Sequence, residues 1–220
     1  MKLLTVTFGC LFCFLLAATT VSAQEGFVPI FDGKTLEGWE GNEKFFRVED
    51  GVLICGTLEK KIPRNEFLCT KRDYENFIIE LKFKLVGKGV NSGVQFRSQR
   101  IPNNHEVIGY QADLGDPGWW GSIYDESRRN KLLAKSDDKL IKKILKRDDW
   151  NDYKVECNGK RIQIWLNGEQ TVDYTEADDR IAQKGAIGLQ IHSGPPSEAH
   201  FKDIKVMDLP GSTEVKKAEK

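Results

Sequence analysis

Residues 76–85 read NFIIELKFKL, with Phe77, Ile79, Leu81, Phe83 and Leu85 on one parity and Ile78, Glu80, Lys82 and Lys84 on the other. Side chains of a strand alternate with period two, so the run predicts a strand with one face in a core and one in water. The same pattern recurs on both sides of it. Tyr153, Val155 and Cys157 alternate, Asn158-Gly159 turns the chain, Ile162, Ile164 and Leu166 alternate back, and Asn167-Gly168 turns it again. Asparagine–glycine pairs between alternating runs are a strong hairpin signal, because both residues accept positive φ. Towards the N-terminus, Phe45 to Ile54 reads as a hairpin around Asp50-Gly51. Towards the C-terminus, Ile187, Leu189 and Ile191 alternate against Gly188, Gln190 and His192. In the last strand, Phe201 and the pair Ile204 and Val206 fall on opposite parities, which predicts a bulge near Lys202-Asp203. About a dozen short strands without βαβ alternation predict an all-β jelly-roll sandwich of antiparallel sheets. One helix is expected, over Arg128–Lys146, where leucines and isoleucines recur at near-helical spacing.

The remaining features bound the class. Met1–Ala23 joins a lysine, an apolar run and a Val21-Ser22-Ala23 cleavage pattern, which predicts a removable export signal and a periplasmic or extracellular mature chain. The domain then runs over residues 24–209, with a polar tail over 210–220. Lys plus Arg and Asp plus Glu number 33 each, so no charge excess points to nucleic acid or to an acidic membrane surface. The apolar run is short for a bilayer span, and no membrane span is expected in the mature chain. Cys55, Cys69 and Cys157 remain after cleavage. Either a Cys55–Cys69 bridge or three buried thiols fits them.

Residues 91–126, NSGVQFRSQRIPNNHEVIGYQADLGDPGWWGSIYDE, concentrate the unusual chemistry. Gln95 and Arg97 share one parity, and Gln111 and Asp113 share the polar face of the next run. A Gly115-Asp116-Pro117-Gly118 turn then delivers Trp119 and Trp120 beside Tyr124, Asp125 and Glu126. A guanidinium, carboxamides, carboxylates and aromatic rings together suit a small carbohydrate. No Glu-x-Asp-x-x-Glu run is present, which argues against the paired-carboxylate chemistry of ordinary jelly-roll glucanases. His105 sits in a polar loop and is expected to be solvated. No cofactor is required; a divalent ion held by Asp113, Glu126 and His192 is left open, since their spacing does not define a site.

FVPIFDGKTLEGW, FLCTKRDYENFIIELKFKL, GVNSGVQFRS, GYQADLGDPGWWGSIYDESRRN, DDWNDYKVECNGKRIQIWLNG and GAIGLQIHSG with FKDIKVMDL occur in that order. Together they resemble the 3-keto-disaccharide hydrolase domain family from about Phe27 to Leu209. The resemblance implies a concanavalin-A-like jelly roll, export, and cleavage of glycosides oxidised at C3. A 3-ketone acidifies the C2 proton, so a base can remove it, the C1 substituent leaves, and water adds to the enone. That route needs a base and a donor to the oxygen at C3. Asp113 or His192 is the candidate base, Arg97 the candidate oxyanion partner and Glu126 the group assisting departure. Gln95, Gln111 and Gln190 are candidate hydroxyl ligands, and Trp119, Trp120 or Tyr124 a stacking platform. A non-catalytic carbohydrate-binding module of the same fold is the alternative.

Overall fold

The computed structural model describes residues 26–212. The predicted export signal lies outside them, as do tail residues 213–220. The chain order is β1 Val28–Pro29, β2 Trp39–Glu40, β3 Phe46–Glu49, β4 Val52–Thr57, β5 Glu66–Tyr74, β6 Phe77–Gly87, β7 Asn91–Arg100, β8 Val107–Gly115, β9 Ile123–Glu126 and β10 Lys131–Ala134. Helix α1 Asp138–Ile144 follows, then β11 Asn151–Asn158, β12 Arg161–Leu166, β13 Glu169–Thr175, β14 Gly185–Ile191 and β15 Ser197–Asp208. One sheet has the order β13-β12-β11-β6-β15-β4-β3, with β1 also on β15. The other runs β10-β9-β8-β7-β14-β5-β2, and every pairing in both is antiparallel. This is the predicted sandwich.

The two inner faces make one core. From the first sheet come Phe77, Ile79, Leu81 and Phe83 of β6, with Val155 and Cys157 of β11 and Ile162 and Ile164 of β12. The second sheet answers with Val94 and Phe96 of β7, Ala112 and Leu114 of β8, and Leu189 and Ile191 of β14. These are the apolar parities of the alternating runs, so the period-two pattern alone decides which side chains leave water.

The turns follow their residues with one shift. Asp50 and Gly51 both have positive φ, as do Asn167 and Gly168, the conformation that Asp-Gly and Asn-Gly pairs favour in two-residue hairpins. At the third hairpin Asn158 pairs with Arg161, so the loop residues are Gly159 and Lys160, one step later than expected. The bulge expected in the last strand is present as a register shift between Lys202 and Lys205.

The long helix is not formed. Residues 131–134 add an edge strand to β9, and only residues 138–144 are helical, opened by Asp137, whose carboxylate accepts from the Lys139 and Leu140 amides. Arg128 and Arg129 are held instead by Asp125, which pins this stretch as a turn. The apolar spacing there served a strand and a helix in succession. Cys55, Cys69 and Cys157 are all free and buried, which settles the thiol question against a bridge. The start of the tail is tied down, with Ser212 Oγ donating to Asn76 O at 2.7 Å.

Candidate active site

The outer face of the second sheet carries the polar parity of β7, β8, β9 and β14. Gln95 lies opposite Gln111 and next to Gly188, while Gly93 lies between Asp113 and Gln190. Tyr124 flanks Gln111 and Glu126 flanks Gly109 on the next strand. Long-range pairing thus gathers Gln95, Gln111, Asp113, Tyr124, Glu126 and Gln190 on one surface. His192 extends the parity of Gln190 just past β14, and its Nδ1 lies 2.7 Å from the Ser193 carbonyl oxygen. A carbonyl only accepts, so Nδ1–H is the donor in this contact.

Buried polar side chains require partners, and here they find one another. Ser98 Oγ donates to Gln95 Oε1 at 2.8 Å, Gln95 Nε2 to Gln111 Oε1 at 2.7 Å, and Gln111 Nε2 to Asp113 Oδ1 at 2.5 Å. Gln95 is 0% and Gln111 3% exposed. These two glutamines therefore support Asp113 from beneath rather than present free amides to a ligand, a correction to the role expected for them. Gln190 Nε2 donates to Glu126 Oε2 at 3.3 Å, and Gln190 Oε1, though buried, has no partner.

Two carboxyl groups on this face are held away from their usual acidity. Burial pushes Asp113 up to about 8, against the Gln111 hydrogen bond and with help from the charge of Glu126. Glu126 is pushed up to about 7, first by burial and then by the charge of Glu106, against the Gln190 bond. Desolvation penalises the ionised form, which is why both shifts run upward.

Beside this face lies a cavity of about 730 Å³ lined by Asn42, Arg64, Glu66, Arg100, Asn103 and His105 among others. Its wall includes Phe67, the β5 neighbour of Gln190. His105 is half-buried there, with Nδ1 3.4 Å from Glu106 Oε1, rather than solvated as the polarity of its loop suggested. Sequence reasoning passed over it because nothing in residues 101–106 says where the loop folds. Trp119 and Tyr124 are half-buried and meet edge to face at 6.0 Å between centroids.

Two expected site residues lie elsewhere. Arg97 has φ +49 at the bulge between Phe96 and Gln99, and a bulge re-aims the side chain it displaces. Its guanidinium donates to Glu75 O twice, at 2.8 and 2.6 Å, to Gly159 O at 2.7 Å and to Gln183 Oε1 at 2.5 Å. It binds turns at the end of the sandwich and is not an oxyanion partner. Trp120 is 7% exposed, stacks on Phe83 in the core, and donates from Nε1 to Asp116. It is no sugar platform. Asp125, next to Glu126, is turned away and fully buried in ion pairs with Arg128 and Arg129. Among the described residues no three His, Cys, Asp or Glu side chains are grouped to hold a metal. No helix among them is long and apolar enough to cross a membrane.

Solved structures share this architecture. A protein described as a glycosyl hydrolase from Parabacteroides distasonis ATCC 8503 superposes with a TM-score of 0.66 at 23% identity, over 84% of this chain and 94% of that one. The carbohydrate-binding module CBM66 from Bacillus subtilis gives a TM-score of 0.59 at 15% identity, over 78% and 96%. The β-glucanase of Bacillus licheniformis gives 0.53 at 10% identity, over 83% and 97%. At these identities the likeness is one of fold, concanavalin-A-like, shared by enzymes and binding modules. A 3-keto-disaccharide hydrolase of Bacteroides thetaiotaomicron is 33% identical over 35% of this chain, a match that spans 29% of that relative's length. Residues 26–207 match the 3-keto-alpha-glucoside-1,2-lyase-like domain, and the chain belongs to that family.

Proposed function

We propose that this protein is an exported enzyme that cleaves 3-keto-glycosides, 3-keto-disaccharides among them, by removing the C2 proton, expelling the C1 substituent and hydrating the enone. The observation that carries the reading is the pair of carboxyl groups, Asp113 at about 8 and Glu126 at about 7, on one sheet face in a chain of this family. A general base works best with a pKa near the operating pH, and a carboxylic acid kept neutral can donate a hydrogen bond to a developing oxyanion. Glu126, the more accessible of the two, takes the C2 proton. Asp113, neutral and with Oδ1 occupied by Gln111, offers Oδ2–H to the oxygen at C3, the part first expected of Arg97. This assignment reverses the expected base, because the group of higher proton affinity is the better donor at neutral pH. Tyr124 and Trp119 border the ring, the buried Gln190 orients Glu126 through its 3.3 Å hydrogen bond, and His105 in the adjoining cavity supplies the proton to the leaving oxygen.

Incubation with a 3-keto-glucoside and its unoxidised parent tests the reading. Release of the aglycone from the oxidised sugar alone is expected, with solvent deuterium entering C2. Equal turnover of both substrates would remove the elimination route. Sugar binding without turnover of either would assign the protein to the binding modules. Export rests on Met1–Ala23, and the intact mass of protein from a secreting host should lack those residues.

A further inference from the structure

The chain Ser98–Gln95–Gln111–Asp113 has a property that its individual bonds do not. A carboxamide turned by half a revolution exchanges its nitrogen and oxygen at the same positions. If both glutamines turn, every bond reverses. A neutral Asp113 then donates from Oδ1 to Gln111, Gln111 to Gln95, and Gln95 to Ser98 Oγ. The Ser98 hydroxyl still has an acceptor, because Phe96 O lies 3.1 Å from Oγ, against 2.8 Å for Gln95 Oε1. Donors and acceptors match in either direction.

The backbone makes room for each member. A Cβ on Gly109 would lie 2.2 Å from Ser98 Oγ, one on Gly93 2.5 Å from Gln111 Cδ, and one on Gly188 3.2 Å from Gln95 Cβ. Three glycines on three strands thus leave space for three side chains of one chain. Gly93 and Gly188 have no positive φ to justify them, so close approach is what they provide.

We propose that Ser98, Gln95 and Gln111 form a reversible hydrogen-bond wire that keeps Asp113 in place in both its ionised and its neutral form, with Ser98 as a positioning residue at the far end. With Asp113 ionised, the wire points its N–H groups towards the carboxylate. In the free protein the proton of neutral Asp113 sits on Oδ1, and the wire turns and passes the donor to Phe96 O. When substrate draws the proton to Oδ2, the wire returns to the direction it has with the carboxylate. None of these states strands a buried polar group, so the carboxyl can hold, offer or release its proton without leaving its position. The other titratable groups acting on Asp113 are Glu126 and Tyr124 of β9, and Tyr153, which donates to Asp113 O from the opposite sheet. The inference rests on the catalytic part given to Asp113 only for its importance to turnover, not for its existence.

The test is a side-chain NMR titration of the whole protein. In the wild type, the Gln95 and Gln111 amide resonances should move together with the Asp113 carboxyl carbon over one midpoint, assigned by its loss in Asp113→Asn. Ser98→Ala removes two bonds from the turned wire and one from the unturned wire, so it should lower that midpoint by ~0.5–1 pH unit, the worth of one hydrogen bond. Ser98→Thr keeps the hydroxyl and should restore it. Glutamine resonances indifferent to the Asp113 titration, or a Ser98→Ala midpoint equal to the wild type, would overturn the wire. If Ser98→Ala fails to fold, the wild-type resonances and Ser98→Thr still decide the matter. A confirmed wire with full activity in Asp113→Asn would retain the wire and discard the catalytic part of Asp113.

Discussion

Replacing Arg97 with lysine separates what residues 91–126 suggest in isolation from what the fold does with them. Arg97 is 1% exposed and makes five hydrogen bonds to four neutral acceptors, Glu75 O, Gly159 O, Gln183 Oε1 and Asn76 Oδ1. The planar guanidinium forks to Glu75 O and spans to Gly159, whereas an ammonium is a compact point charge on a flexible stem. Lysine can be expected to keep about half of these acceptors. Leaving two buried oxygens unpaired at ~1–3 kcal/mol each predicts a loss of ~2–6 kcal/mol. Against a total stability of ~5–15 kcal/mol for a domain, that is a large fraction. Urea unfolding followed by tryptophan fluorescence should show a lower midpoint at an unchanged slope, while the folded fraction turns over 3-keto-glucoside with wild-type kcat. A lysine variant with wild-type stability and kcat reduced ~10²-fold would refute the reasoning and return Arg97 to the active site.

Activity should follow a bell between the Glu126 and Asp113 values, rising through about 7 as Glu126 ionises and falling through about 8 as Asp113 loses its proton. Glu126→Gln should lose kcat by ~10²-fold or more, whereas Asp113→Asn should lose less and abolish the alkaline limb; an alkaline limb kept in Asp113→Asn would contradict the assignment. Stability carries the same sign: the folded protein holds an Asp113 proton that the unfolded chain releases near its usual value of 3.8, so this contribution is complete below that pH and is lost as pH rises towards about 8. Asp113→Asn should therefore gain in Tm over the wild type between pH 4 and pH 8, as scanning calorimetry would report. Trp120→Ala should cost ~3–5 kcal/mol of stability as a core truncation, and a pure loss of sugar binding with unchanged unfolding would contradict its place against Phe83. Thiol reagents should leave Cys55, Cys69 and Cys157 untouched in the native protein and react with all three on unfolding, since burial raises each thiol; Tm should not respond to reductant.

What the chain specifies by itself is everything that depends on neighbours in sequence. Alternation in residues 76–85 and 153–166 marks the strands and their buried faces, because the strand period is local geometry. Asp50-Gly51 and Asn167-Gly168 mark their hairpins, because positive φ is a property of the residue. The parity of Gln95, Gln111, Asp113 and Gln190 already placed them on the polar faces of their strands. Which strands lie side by side was not legible, and neither was the convergence of those residues. It took the β14-β7-β8-β9 order to join Ser98 to Asp113 and Gln190 to Glu126, partners up to 64 residues apart. Arg97 and Trp120 were misread for the same reason. One bulge overrode the parity of the first, and a core stack with Phe83 claimed the second. Both depend on partners distant in sequence, Gly159 and Phe83, that only the packed sandwich brings within reach.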